Sequence, residues 1–284
     1  MIIYALIQEE QSISPTARII LLLAFFLGIG FIIISRFYTF FEQLHAKKHR
    51  KPFFRAFPFF RRKLDASQKR VLDREFTFYQ KLNDKQKLLF EHRVASFIND
   101  KTFVGRDNLT VDGKMKVLIA STAVMLTFGY RDYIIKIIST IIIYPEAFYS
   151  NTNRELHKGE FNPHLGVLAL SWKDFVEGYD ISNDNLNLGV HEFAHAIHLE
   201  SIHRPGINAI IFSESFIELT EYLDRHEGVK DKLIASRYFR EYAYTNQYEF
   251  VAVVIENFIE TPLEFRQQFP VVFKSVKQML NFQL

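Results

Sequence analysis

Residues Leu188 to Glu200 read LGVHEFAHAIHLE and bring together His191, Glu192, His195 and a further histidine, His198. Residues four apart on a helix lie one above the other, so His191 and His195 can aim their imidazoles at one ion, with nitrogens about 2.0–2.1 Å from a zinc. Glu192 projects from an adjacent direction, suited to taking a proton from activated water rather than to binding the metal. Leu186, Val190, Phe193 and Ile197 recur at steps of four, three and four, an apolar stripe that faces a core. His191, His195 and His198 form a second stripe at the edge of that buried face, where a cleft can open. The bare His-Glu-x-x-His pattern turns up by chance in roughly a few per cent of chains this rich in histidine. Its placement on an amphipathic helix after strands gives it weight.

A catalytic zinc takes a third protein ligand and leaves its fourth position to water. The chain has no cysteine, so disulfides are excluded and the ligands must be histidine or carboxylate. The extended form HExxHxxGxxH is ruled out, because Ser201 and His198 occupy the positions of its third histidine and its glycine. Glu214 and Glu218, in the predicted helix SESFIELTEYL, are candidates for the third ligand, and so is Glu249 at the start of EFVAVVIENFIE. Glu249, Glu256 and Glu260 fall within about 20° of one another on a helical wheel. Such a row is usually a solvated face. Phe250 to Ile255 is apolar without a break, however, and a buried carboxylate needs a cation or donors, which zinc would supply for Glu249.

Two stretches carry a resemblance. NLGVHEFAHAIHLE and, downstream, YAYTNQYEFVAVVIENFIETP (Tyr242 to Pro262) resemble the Mlc titration factor A family of zinc-dependent peptidases in residues, order and separation. Weaker similarity, including IIIYPEAF and LALSWKDF, runs from about Leu82 to the C-terminus. The resemblance implies one Zn2+ per chain held by His191, His195 and Glu249, with Glu192 as general base and Tyr242 stabilising the transition state. Composition alone does not distinguish Tyr242 from Tyr238, Tyr244 or Tyr248. The resemblance further implies a gluzincin-like domain and a peptide or protein substrate, cleaved in aminopeptidase-like fashion. Two positions depart from the family pattern: His198 replaces the usual aspartate, and Gln247 replaces a frequent proline two residues before the third ligand. One family member binds a transcriptional repressor, but this chain adds an N-terminal anchor outside the resemblance, and that role is not carried over. The alternative reading of the same ligand set is a membrane-tethered, zinc-containing binding protein that sequesters a cytoplasmic partner such as a transcription regulator.

The elements that position these residues follow from composition and pattern. The chain has 284 residues, 48% apolar and 15% aromatic, enough for one ordinary core. Residues 1–65 hold ten Lys or Arg against four acids, and the remainder 25 against 28, so the globular part lacks the basic excess of a nucleic-acid-binding domain. From Ile19 to Ser35 no charge interrupts an apolar run flanked by Arg18 and Arg36, which predicts a transmembrane helix over residues 19–37 after a short tail, 1–18. Basic residues concentrate beyond it, placing everything after Arg36 in the cytoplasm by the positive-inside rule. A basic, aromatic tether follows at 38–65, with KPFFRAFPFFRRK (Lys51 to Lys63) in contact with anionic headgroups or packed on the domain.

The domain proper is expected at 66–284. A capping box at Asn83 to Gln86 opens one helix, and Asp112-Gly113 marks a turn before a second, Met115 to Phe128, buried on most sides. Tyr133 to Tyr144, YIIKIISTIIIY, is rich in β-branched residues and predicts one or two strands, with another at Val167 to Trp172 that is expected to pair with an extended substrate. Asn183-Asp184-Asn185 offers capping ahead of the histidine helix. The predicted class is α+β: a single zincin-like metallopeptidase domain with a small sheet and an HExxH helix, preceded by one N-terminal membrane helix.

Overall fold

A computed structural model describes residues 14–54, 61–150, 154–180 and 185–282. The chain divides into two compact units, Met1–Leu44 and His45–Leu284. Helix α1 (Pro15–His49) runs without a break through the described part of the first unit and supplies the opening residues of the second. It is long and apolar enough to cross a membrane, and large side chains along it, such as Leu27 and Phe31 at 74% each, are exposed.

The second unit is helix-rich with a small mixed sheet. Helix α2 (Ala66–Glu75) opens on an Asp65 capping box, a short α3 (Thr77–Gln80) follows, and α4 (Asp84–Asp100) begins at the expected Asn83–Gln86 capping box. Strand β1 (Thr102–Gly105) leads to α5 (Gly113–Leu126), capped by Asp112. Helix α5 is apolar on all sides and buried from Val117 to Leu126, the pattern of a central helix. Next come β2 (Thr140–Tyr144), β3 (Phe148–Tyr149), β4 (Leu156–His157), β5 (Gly159–Asn162), β6 (Val167–Ser171) and α6 (Trp172–Asp180). The histidine helix is α7 (Leu188–His203), followed by α8 (Ile207–Arg225), α9 (Glu227–Ala235) and a 3-10 turn at Glu241–Tyr244. Helices α10 (Gln247–Glu260), α11 (Pro262–Gln268) and α12 (Pro270–Met279) close the described chain.

The four-stranded sheet has the order β1-β2-β6-β5, with β1, β2 and β6 parallel and β5 antiparallel to β6. Strand β6 is buried almost throughout because strands flank it on both sides, β2 in the register Ile141↔Leu168 and β5 in the register Phe161↔Leu168. It therefore has no free edge for a substrate, contrary to the expectation above. That edge belongs to β5.

The expected strand or strands at Tyr133 to Tyr144 shorten to Thr140–Tyr144. Polar anchors claim the backbone of the preceding segment. The buried Lys101 ammonium donates to the carbonyls of Ile135 (2.7 Å) and Ile138 (2.6 Å), and Ile137 N–H donates to Glu200 Oε2 (3.0 Å). Thr127 Oγ1–H donates to Tyr133 O (3.0 Å). These bonds replace a strand ladder, and tertiary contacts override β propensity.

The compact unit starts upstream of the boundary expected at residue 66, because Ala46 packs in full burial against Ile207 and Ile211 and Leu64 joins the main core. Of the tether, residues 55–60 lie outside the described residues.

Candidate metal centre

Helix α7 begins where Asn187 Oδ1 accepts from Val190 N–H (3.0 Å), while Asn187 Nδ2 donates to Gly178 O (2.9 Å) and ties the helix start to α6. The cap is thus Asn187 and not the 183–185 stretch, of which residues 183 and 184 lie outside the described residues. Asn185 instead adopts a left-handed φ of 57°, and its side chain accepts from Thr261. Leu186 precedes the helix and is half exposed, but Val190, Phe193 and Ile197 form the expected buried stripe, with Phe193 edge-on to Phe97 at 6.1 Å between centroids. Gly189 lets the Phe175 ring lie against this helix, since a Cβ there would collide with its Cε2.

The opposing wall is α10. Asn246 caps it by accepting from Tyr248 and Glu249 N–H at 2.9 and 3.0 Å, which fixes Glu249 in the first turn, facing α7. His191 Nε2 and His195 Nε2 are 3.0 Å apart, and Glu249 Oε2 lies 3.2 Å from the first and 3.5 Å from the second. These three ligand atoms are the group among the described residues able to hold a metal ion.

The donor set fits zinc. Donors about 2.0–2.1 Å from one tetrahedral ion lie about 3.3–3.4 Å apart, the scale of this triangle. Glu249 Oε2 is buried yet accepts no hydrogen bond of proper angle, an orphan that a cation would satisfy. Two imidazole nitrogens and a carboxylate oxygen meeting this closely need a shared positive charge.

Behind the triangle, the fully buried Glu256 accepts from His191 Nδ1 (3.2 Å) and from the Arg240 guanidinium. A carboxylate on Nδ1 leaves Nε2 as the lone-pair nitrogen, turned toward His195 and Glu249. Burial disfavours a charged His191, but contacts with Glu249 and Glu256 outweigh it and raise its pKa to about 10. Burial pushes the other way at Glu249, where His191 and His195 hold the carboxyl well below the usual range. Both shifts report a site that demands positive charge.

Glu192 is buried, with its pKa raised by that burial and partly drawn back by His191 and His195. It lies against the edge strand: a Cβ at Gly159 would meet Glu192 Oε1 at 2.6 Å. A cleft of about 380 Å3 opens here, lined by Lys158, Gly159, Leu188, Glu192 and Tyr242 among others. The Tyr242 ring is 6.2 Å from the His191 ring and half exposed. Burial of the hydroxyl and the nearby Glu249 charge push its pKa up to about 12, so it stays a donor at neutral pH.

Other candidates fall elsewhere. Glu214 ion-pairs with Lys47 (3.0 Å) and Arg50, and Glu218 with Arg50 (3.4 Å), both apart from the histidines. His198 turns away from the triangle into a wall of Phe212, Phe216 and Tyr248, where burial lowers its pKa to about 4 and keeps it neutral. Glu256 is not a member of a solvated stripe, because the apolar run Val251–Ile255 buries its whole turn. Three residues of this site escape a reading of the sequence: Arg240, Gly159 and Glu256 as the partner of His191. The signal for Glu256 is a carboxylate inside an apolar helix; for Arg240 and Gly159 the sequence offers none.

Comparison with known proteins agrees with this arrangement. An uncharacterized protein of Synechocystis sp., slr2042, is 23% identical over 223 residues, which cover 71% of this chain and 78% of the relative. A family model described as glucose-regulated metallo-peptidase M90 matches residues 47–281, taking in α7, the 3-10 turn and α10, and the chain belongs to this family of metallopeptidases, that of Mlc titration factor A.

Proposed function

We propose that the chain is a membrane-anchored zinc peptidase with a zincin-like domain facing the cytoplasm. The observation that supports it most is the meeting of His191, His195 and Glu249 at 3.0–3.5 Å beside Glu192 in the wall of an open cleft. His191, His195 and Glu249 would hold the ion. When bound, zinc supplies a Lewis acid that acidifies water and polarises a carbonyl. Glu192 takes the proton from the attacking water and delivers it to the leaving amine, a role suited to a carboxylate whose pKa burial has raised. The Tyr242 hydroxyl donates to the oxygen that gains charge as the carbonyl is attacked. Glu256 and Arg240 hold the His191 ring and its tautomer.

An extended peptide pairs with the free edge of β5, which brings its backbone past Glu192 at Gly159. Aminopeptidase-like cleavage follows from the family resemblance, and the exposed Glu177 on the cleft wall offers a carboxylate to a substrate amino terminus. Glu192→Gln is expected to keep zinc and lose peptide turnover by at least about a hundredfold. Wild-type turnover in that variant would refute the mechanism. A cellular phenotype unchanged by the variant, with zinc intact, would instead favour sequestration of a partner.

A further inference from the structure

Beyond its metal ligands, the cleft has an apolar stretch of wall. The aliphatic side chains among its described lining residues are Leu156, Leu186 and Leu188. Leu156 is 74% exposed and Leu186 49%, whereas Leu188 is half-buried. Scattered exposed leucines are ordinary on a protein surface, but leucines gathered in one concave site form an apolar surface that a ligand can cover. The ionic groups of the wall are largely engaged with one another: Lys158 pairs with Asp174 (2.6 Å) and Arg240 with Glu256. With Glu177 taken by a substrate amino terminus, a charged side chain entering here would lose water without gaining a free partner.

Close approaches fix the order of these groups along the wall. Gly178, next to Glu177, lies against residues 186–188: a Cβ there would meet Asn187 Cα at 3.0 Å and Leu188 N at 3.2 Å. Leu188 in turn reaches Gly159, where a Cβ would meet Leu188 Cδ1 at 2.7 Å and Glu192 Cγ at 2.8 Å. Leu188 and Glu192 are one turn apart on α7 and share a face. Leu186 and Leu188 thus occupy the wall between Glu177, which would receive the amino terminus, and Glu192, which would activate water. In a peptide held by its amino terminus, the side chain over that stretch belongs to the first residue, whose carbonyl is attacked. We propose that Leu156, Leu186 and Leu188 form a shelf for a large aliphatic amino-terminal side chain, so that peptides beginning with residues such as leucine are the preferred ligands and substrates. This deepens the proposed function and rests on it for the placement of the amino terminus and of the attacked carbonyl.

The test uses the full chain in detergent carrying Glu192→Gln, so that peptides bind without turnover, and calorimetric Kd values for Leu-Ala-Ala-Ala and Asn-Ala-Ala-Ala. Leucine and asparagine are similar in size, so the pair compares polarity at nearly fixed shape. The leucine peptide is expected to bind at least about tenfold more tightly, and the ratio to fall to no more than about threefold when Leu156→Asn/Leu186→Asn is added. Both leucines are exposed, and circular dichroism with zinc content checks that the variant is folded. Equal affinity for the two peptides, or a preference that survives in the variant, would overturn the assignment. So would binding of Ala-Leu-Ala-Ala as tight as that of Leu-Ala-Ala-Ala, which would take the shelf away from the first residue. Turnover by the wild type separates this inference from the reading beneath it. Selective binding without cleavage would refute hydrolysis and leave the shelf as a peptide-binding feature, whereas cleavage of the leucine and asparagine peptides at equal kcat/KM would keep the peptidase and remove the shelf.

Discussion

At His191 one ring serves two carboxylates: Glu249 meets its Nε2 and Glu256 its Nδ1, each at 3.2 Å. If Glu256 fixes the tautomer, Glu256→Gln should weaken zinc binding by about 10- to 100-fold in a chelator competition, with the fold intact by circular dichroism. Unchanged affinity would leave Glu256 a buried ion-pair partner of Arg240 and nothing more. Gly159 makes a separate prediction, since its missing Cβ is the space that Glu192 occupies. Gly159→Ala should lower kcat by at least about tenfold while zinc stoichiometry stays at wild type; full activity would show that Glu192 can shift without loss. His191, Glu192 and His195 are legible in the sequence because their geometry is internal to one helix. Glu249 is one of three carboxylates that the helix patterns offer as a third ligand, and the family resemblance is what selects it; Tyr242 is picked out by the resemblance alone. The grip of Glu256 on His191 spans 65 positions, and neither it nor the Glu192–Gly159 contact leaves a local pattern.

Elements show the same division between local and non-local information. The capping box at Asn83–Gln86 and the apolar helix α5 are read correctly because the residues that decide them are neighbours. Three consecutive Asx residues at 183–185 offered the same chemistry as Asn187, and the choice was made by Gly178 O, which Asn187 reaches. Asn187→Ala should therefore cost about 1–2 kcal/mol in chemical denaturation, and a cost near zero would assign the cap elsewhere. In the Tyr133–Ser139 segment, β-branched residues suggest strand while a buried lysine dictates loop. Lys101→Met strands the carbonyls of Ile135 and Ile138 and should destabilise the domain by on the order of 3 kcal/mol. Stability equal to wild type would show that the segment holds its shape without the ammonium.

The molecule as a whole joins an apolar helix to a metallopeptidase domain, and each part has its own test. The concentration of basic residues beyond Arg36 predicts that Gln43→Cys is shielded from an impermeant thiol reagent in intact cells; ready labelling would reverse the orientation. The family match from residue 47 to 281 covers most of the globular unit and leaves most of the apolar helix outside the matched residues. The function proposed for the molecule depends on one zinc held by His191, His195 and Glu249. Metal content per chain, measured on the purified full-length protein for wild type and Glu249→Ala side by side, tests it most directly. One zinc in the wild type with sharply weakened binding in the variant is the result predicted here. Equal zinc in both, or none in a folded wild type, would contradict it.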